Sequence, residues 1–302
     1  MERVPAAAIH FLEEYGGNEI YIMRDDLIPF SFGGNKVRKA ILFFEQIDAG
    51  GYNCVVTYGS SSSNHCRVIA NMAAARGMKV HVISTDGGSS CINRQLVESF
   101  GAEIHICPVE QVAATIEDVM EQLRQQGERP FFIPGGGHGN TGTAAYDLAY
   151  DKICDYAIQK GIGFDYIFFA SGTGTTHAGL ISGMLRRGEK NQKIVGISIA
   201  RKNPYGGQVV AKSVLDYTGK EPGEALTFLD DYICGGYGQY DASVEQVIRR
   251  IYCQYGVPLD PTYTGKAYSG MEQYLNKFEI TGKRILFIHT GGTPIFCDWV
   301  KL

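Results

Sequence analysis

The strongest constraint on the fold is an alternation. Short, continuously apolar runs are followed again and again by segments of helical spacing, with glycine or serine at the junctions. Cys54–Tyr58, Tyr166–Ser171 and Arg284–His289 lack polar alternation, so each reads as a strand buried on both faces. Further strands are expected at Ile20–Met23, Val80–Ser84, Ile104–Ile106, Phe131–Ile133 and Lys193–Ile199. Helices are expected from Lys36 to about Ala49, then over Arg67–Arg76, Ile92–Phe100, Val109–Gln126 and Thr143–Lys160. In the second half they are expected over Thr175–Arg186, Val209–Tyr217, Val244–Tyr255 and Gly270–Phe278, while Leu226–Cys234 is ambiguous. Alternating strand and helix predicts parallel sheets with helices on their faces. We expect an α/β protein of two interleaved lobes, each a mainly parallel twisted sheet flanked by helices. Residues 1–44 plus 161–302 would form the large domain and 45–160 the small one.

At 302 residues the chain can bury its own core, with 44% hydrophobic and 20% charged residues. A net charge of −4 offers no electrostatic footprint for nucleic acid. The eight cysteines form no CxxC and no cluster, so free buried thiols are expected rather than a metal site. No apolar run approaches membrane-spanning length and the start lacks a signal-peptide core, which together predict a cytoplasmic protein.

Glycine is the loudest residue, 38 in all, clustered after apolar runs. Ser171-Gly172-Thr173-Gly174-Thr175-Thr176 joins a buried strand to a helix. Unpaired amides and the dipole at a helix start, with glycines letting backbone wrap an anion, suit a phosphate. No lysine follows, so this is not a nucleotide loop. A plain glycine-rich turn is the alternative. Gly137-His-Gly139-Asn-Thr-Gly142 fits GxGxxG, but no acidic residue ends the next strand, which argues against a dinucleotide. His138 in that run either reaches a substrate or faces solvent.

Lys36 and Lys39 share a helix face, and Gly33-Gly34-Asn35 precede Lys36. Those neighbours allow close backbone approach to a ligand and make Lys36 a candidate nucleophile. The run Ser60-Ser61-Ser62-Ser63-Asn64-His65 can bind a carboxylate at a helix start or serve as a simple cap. Thr290 ends the last strand, where ligands of open α/β sheets sit, or caps the following turn.

Phe32–Lys39, Ser63-Asn64-His65, Leu259–Ala267 and Phe287–Gly292 together resemble the D-cysteine desulfhydrase and 1-aminocyclopropane-1-carboxylate deaminase family. This is a tryptophan-synthase-β-like group of fold type II pyridoxal-phosphate enzymes. The resemblance implies pyridoxal 5'-phosphate in the cleft between the lobes, with Lys36 as its Schiff-base lysine and proton shuttle. It implies Asn64 at the phenolic oxygen, and Gly172, Thr173, Gly174, Thr175 and Thr176 around the phosphate. Thr290 would face the pyridine nitrogen. Ser63 and Tyr263 would be catalytic, and Ser60, Ser61, Ser62, Ser63, His65, His138 and Tyr263 would meet a small amino-acid substrate.

Ring-opening deaminases of the family tend to carry Glu after this tyrosine; here Thr264 looks like the desulfhydrase side. The serine run and Gly135–Asn140 depart from the usual desulfhydrase pattern. The resemblance thus implies a lyase acting by β-elimination to a keto acid and ammonia, in a homodimer. Alternatives are β-replacement, racemisation or cyclopropane deamination, and, in another class, a non-catalytic amino-acid-binding protein.

Overall fold

The fully apolar runs become the centres of two sheets. A computed structural model describes residues 5–87 and 90–300. In chain order the elements are β1 (Ala8–Tyr15), β2 (Asn18–Arg24), α1 (Asn35–Gly50), β3 (Cys54–Tyr58), α2 (Asn64–Ala74), β4 (Lys79–Ser84), α3 (Ile92–Ser99) and β5 (Glu103–Ile106). Then come α4 (Val112–Gln125), β6 (Pro130–Ile133), α5 (Asn140–Lys160), β7 (Tyr166–Ser171), α6 (Thr175–Arg187), β8 (Lys193–Ser198) and α7 (Tyr205–Thr218). The chain ends with β9 (Leu226–Leu229), α8 (Ala242–Tyr255), α9 (Thr264–Lys277), β10 (Arg284–His289) and α10 (Thr293–Val300).

One sheet has the order β1-β2-β10-β7-β8-β9, the other β5-β4-β3-β6. All pairings are parallel except β1 with β2. The expected two mainly parallel sheets flanked by helices are therefore present. Ile167, Phe169, Leu286 and Ile288 pack on one face of the larger sheet under α5, α6 and α7. Phe168, Val195, Ile285 and Phe287 pack on the other, under α8, α9 and α10. Full burial of such side chains stabilises by roughly 1.5–3 kcal/mol each, which explains why these strands lack polar alternation.

Two elements escaped the sequence reading. β1 carries Glu13 and Glu14 and is half exposed, so it lacks the apolar continuity of the inner strands. α10 follows Gly291-Gly292 too closely to show a helical period. Two helices also pack across the expected boundaries. α1 sends Val37, Ile41, Phe44 and Ile47 into the core of the smaller sheet. α5 sends Tyr146, Ala149, Tyr150 and Ile153 into that of the larger.

Candidate active site

Parallel strands in both sheets end at one cavity of about 730 Å³. Tyr58 ends β3 and Gly59–Ser60 follow it, Gly135–Gly136 follow β6, Ser171 ends β7 and Gly172–Gly174 follow it, Ile199–Arg201 follow β8 and Thr290–Gly291 follow β10. Ligands of open parallel sheets sit at such carboxyl ends.

Three distant segments are stitched together at the cavity floor. The Asn35 amide donates to Thr290 O at 3.0 Å, which seats the start of α1 on the end of β10. Asn35 Nδ2 donates to Thr176 Oγ1 at 3.2 Å, which ties the same turn to α6. Gly34 makes this possible: its φ is 96°, and a Cβ there would lie 2.8 Å from Thr290 O.

Lys36 projects into the cavity and its Nζ donates to Gly136 O at 3.0 Å. Burial pushes its ammonium down to about 8, so a neutral, nucleophilic amine is accessible near neutral pH. Gly136 again has no room for a side chain, since a Cβ would meet Thr173 Cγ2 at 2.7 Å. Lys39, one turn on, is fully buried and donates to Thr175 Oγ1 at 2.8 Å. Burial and the neighbouring Lys36 hold it well below the usual lysine range. Its position at the glycine-threonine turn was not evident from helical spacing alone.

That turn, Gly172–Thr176, lies at the first turn of α6. Gly172, Thr173, Gly174 and Thr176 line the cavity, while Thr175 is buried and its hydroxyl faces Lys39 and Gly137 O. Thr175 can therefore contribute only its backbone to an anion.

The serine run divides. Ser60, Ser63, Asn64 and His65 line the cavity; Ser61 and Ser62 do not. Asp86 takes the Ser61 amide and hydroxyl, at 2.9–3.0 Å. Ser62 O accepts from Asn93 Nδ2, and its hydroxyl is 3.3 Å from that of Ser60. The Ser61 and Ser62 side chains are engaged in building the turn. Ser63 Oγ accepts from the Cys66 amide at 3.2 Å, so it caps α2 while still facing the cavity. Asn64 Oδ1 accepts from Asn93 Nδ2 at 3.0 Å, which leaves the Asn64 amide nitrogen as the end available to a ligand.

His65 is buried. Thr57 Oγ1 donates to Ile133 O, so it accepts from His65 Nε2 at 2.9 Å. The ring is then neutral with a bare Nδ1, and burial with Lys36 and Lys39 nearby holds it well below the usual histidine range. His138 lines the cavity beside Thr173, Lys39 and Arg201, at the phosphate-like turn rather than among the serines.

Tyr263 sits just before α9, and Tyr237 lies across from it; their hydroxyls are 2.8 Å apart. Burial, then the Tyr237 hydroxyl, raises the Tyr263 phenol well above its usual value. Buried Asp260 shapes the turn by accepting from the amides of Thr262, Tyr263 and Thr264 and from Thr264 Oγ1. Tyr237, in a glycine-rich segment without periodicity, gave no sequence signal.

These residues fit pyridoxal phosphate. Among the described residues, His65 Nδ1, His138 Nδ1 and Ser171 Oγ are buried without a hydrogen-bond partner, and all three residues line the cavity. A polar ligand would satisfy such groups. An amine of lowered basicity, a helix-start anion cradle and a hydroxyl at a strand end occupy one cavity.

The chain matches the pyridoxal-phosphate dependent enzyme family over residues 2–291. A Pyrococcus horikoshii protein provisionally named 1-aminocyclopropane-1-carboxylate deaminase is 34% identical over 286 residues, covering 91% of this chain and 85% of that one. D-cysteine desulfhydrase of Serratia proteamaculans is 32% identical, covering 96% and 91%. A crystal structure described as an ACC deaminase homologue superposes with a TM-score of 0.90 at 31% identity, covering 100% and 94%.

Proposed function

The chain belongs to the pyridoxal-phosphate dependent enzymes, and from that premise we propose that it is a lyase acting on a small amino acid by β-elimination, as a D-cysteine desulfhydrase does. Amino acid and water would give keto acid, ammonia and the protonated leaving group, hydrogen sulfide for cysteine. Bound pyridoxal phosphate supplies an electron sink for the pair left at Cα. Lys36 would hold the cofactor and move the Cα proton, its basicity already lowered by burial. The start of α6 would bind the phosphate, and Thr290 would face the ring nitrogen. Asn64 Nδ2 would donate to the phenolic oxygen.

The Tyr263 hydroxyl, kept protonated and hydrogen-bonded to Tyr237, is the observation that carries elimination: it would be an acid, on the same cavity that Lys36 lines, for a departing group. Ser60 and Ser63, with the amides at the start of α2, would take the substrate carboxylate. Asp260, the carboxylate at the Tyr263 turn, is consumed by that turn.

Three further points are parts of this proposal. The small lobe takes α1 and the large lobe takes α5, following their cores. The protein is a homodimer, testable by light scattering, and cytoplasmic, testable by fractionation.

The test is keto-acid release across D- and L-cysteine, β-chloroalanine, serine and 1-aminocyclopropane-1-carboxylate. Release from a cysteine or β-chloroalanine, lost in Lys36→Ala with the visible cofactor absorption, is expected. Release from none of them would overturn elimination in favour of replacement or racemisation.

A further inference from the structure

On the far side of the small lobe, β5 is an edge strand of four residues, paired among the described residues to β4 alone. His81 of β4 lies opposite Glu103 of β5, and His105 is two residues further along β5. Alternation places all three on one face of the sheet, the face that also carries Cys54, Val56 and Ile83 under Val119 and Leu123 of α4. The His81 side chain is 8% exposed, that of His105 24% and that of Glu103 65%.

Their donor atoms converge. His81 Nδ1 is 3.1 Å from His105 Nε2. The Glu103 carboxylate straddles the pair, 3.5 Å from each ring nitrogen. A hydrogen bond between the rings satisfies one contact, yet it leaves the carboxylate beyond ordinary hydrogen-bond length from both. Separations of 3.1–3.5 Å are short enough for one ion, with bonds of about 2 Å as zinc makes to nitrogen, to bridge the three groups. We propose that His81, Glu103 and His105 form a three-ligand site for a late first-row divalent cation such as zinc, which staples the edge strand β5 to β4.

The donor set selects the metal class. Two imidazoles and one carboxylate suit zinc, cobalt or nickel, whereas magnesium and calcium prefer oxygen. The surroundings favour a cation: Lys79 is paired with Glu128 at 2.9 Å, so the Glu103 charge remains over. Exposure of Glu103 leaves the remaining coordination positions to water. His81 Nε2 would keep the ring proton, and it is buried with no partner among the described residues. Without the usual outer acceptor the site is weaker than one with it, so micromolar rather than nanomolar binding is expected.

The experiment is zinc titration of the holoenzyme by equilibrium dialysis, beside Glu103→Gln and His105→Gln. Glu103 is exposed and His105 partly so, so both variants should fold; buried His81 is left alone. Wild type should bind one more equivalent than the double variant, and each single variant should weaken that equivalent at least tenfold. Zinc, but not magnesium, should raise the Tm of wild type and not of the double variant. Equal zinc binding by wild type and double variant would assign the metal to thiols or cofactor and overturn the proposal, as would no binding at all.

Discussion

The hydroxyls of Tyr237 and Tyr263 lie 2.8 Å apart on the cavity wall, brought together from two different segments of the larger lobe. If Tyr263 delivers a proton, Tyr263→Phe should lower kcat by about a hundredfold, the usual scale of a positioned acid. Tyr237→Phe should cost several-fold, as for one lost hydrogen bond. The double variant should be no slower than Tyr263→Phe. Additive losses in that cycle would mean that the two hydroxyls act separately.

Lys36 makes stability depend on pH in the cofactor-free protein. Its folded ammonium loses its proton near pH 8, against 10.5 as the ordinary value. Between these values the unfolded chain binds more protons, so stability should rise as pH climbs through that window. Below it the buried charge costs the fold roughly 3 kcal/mol by the same linkage. Lys36→Met should therefore be more stable than wild type at pH 7, with the gap closing above pH 10. Lys39, lowered for the same reason, adds slope of the same sign, so the variant should flatten the profile without abolishing it. Chemical denaturation at several pH values measures this; a gap that widens with pH would contradict the assignment.

Glycine positions separate strain from site geometry. Gly34→Ala combines a φ of 96° with a Cβ 2.8 Å from Thr290 O. It should lower Tm and also release cofactor, because the Asn35–Thr290 bond must open. Gly188→Ala, at a φ of 71° with nothing near its Cβ, should cost about 1 kcal/mol and keep the cofactor. Equal cofactor retention in the two would show that the α1 start does not position Lys36.

The serine run should split by role. Ser63→Ala removes a cap worth about 1 kcal/mol and should also raise KM or lower kcat. Ser61→Ala should affect stability alone, since its partner is Asp86. Steady-state kinetics beside thermal melts would decide; a larger kinetic effect from Ser61 would restore it to the substrate side.

Much of the fold was legible because burial on both faces leaves a local mark. Cys54–Tyr58, Tyr166–Ser171 and Arg284–His289 are strands with the expected ends. The edge strand β1 left no such mark, since one of its faces meets solvent. The cavity was legible where chemistry needs glycine beside a polar group, as at Gly34-Asn35-Lys36 and Gly172–Thr176. Tyr237 and Lys39 were not, because a tyrosine in an aperiodic loop and a lysine at helical spacing look like surface residues until packing buries or pairs them.

By itself the sequence determined the strand–helix alternation, the parallel sheets and, through four motifs, the cofactor class. Each of those depends on hydrophobicity, backbone freedom or residue type within a few positions. Tertiary structure alone decided which donors face the cavity. Asn35 and Thr176 stand 141 residues apart, and their bond exists because both sheets end at one cavity. The same packing turned Ser61 toward Asp86, seated α1 on the small sheet and set Tyr237 against Tyr263. Such contacts are fixed by the relative placement of whole layers, for which no local pattern codes.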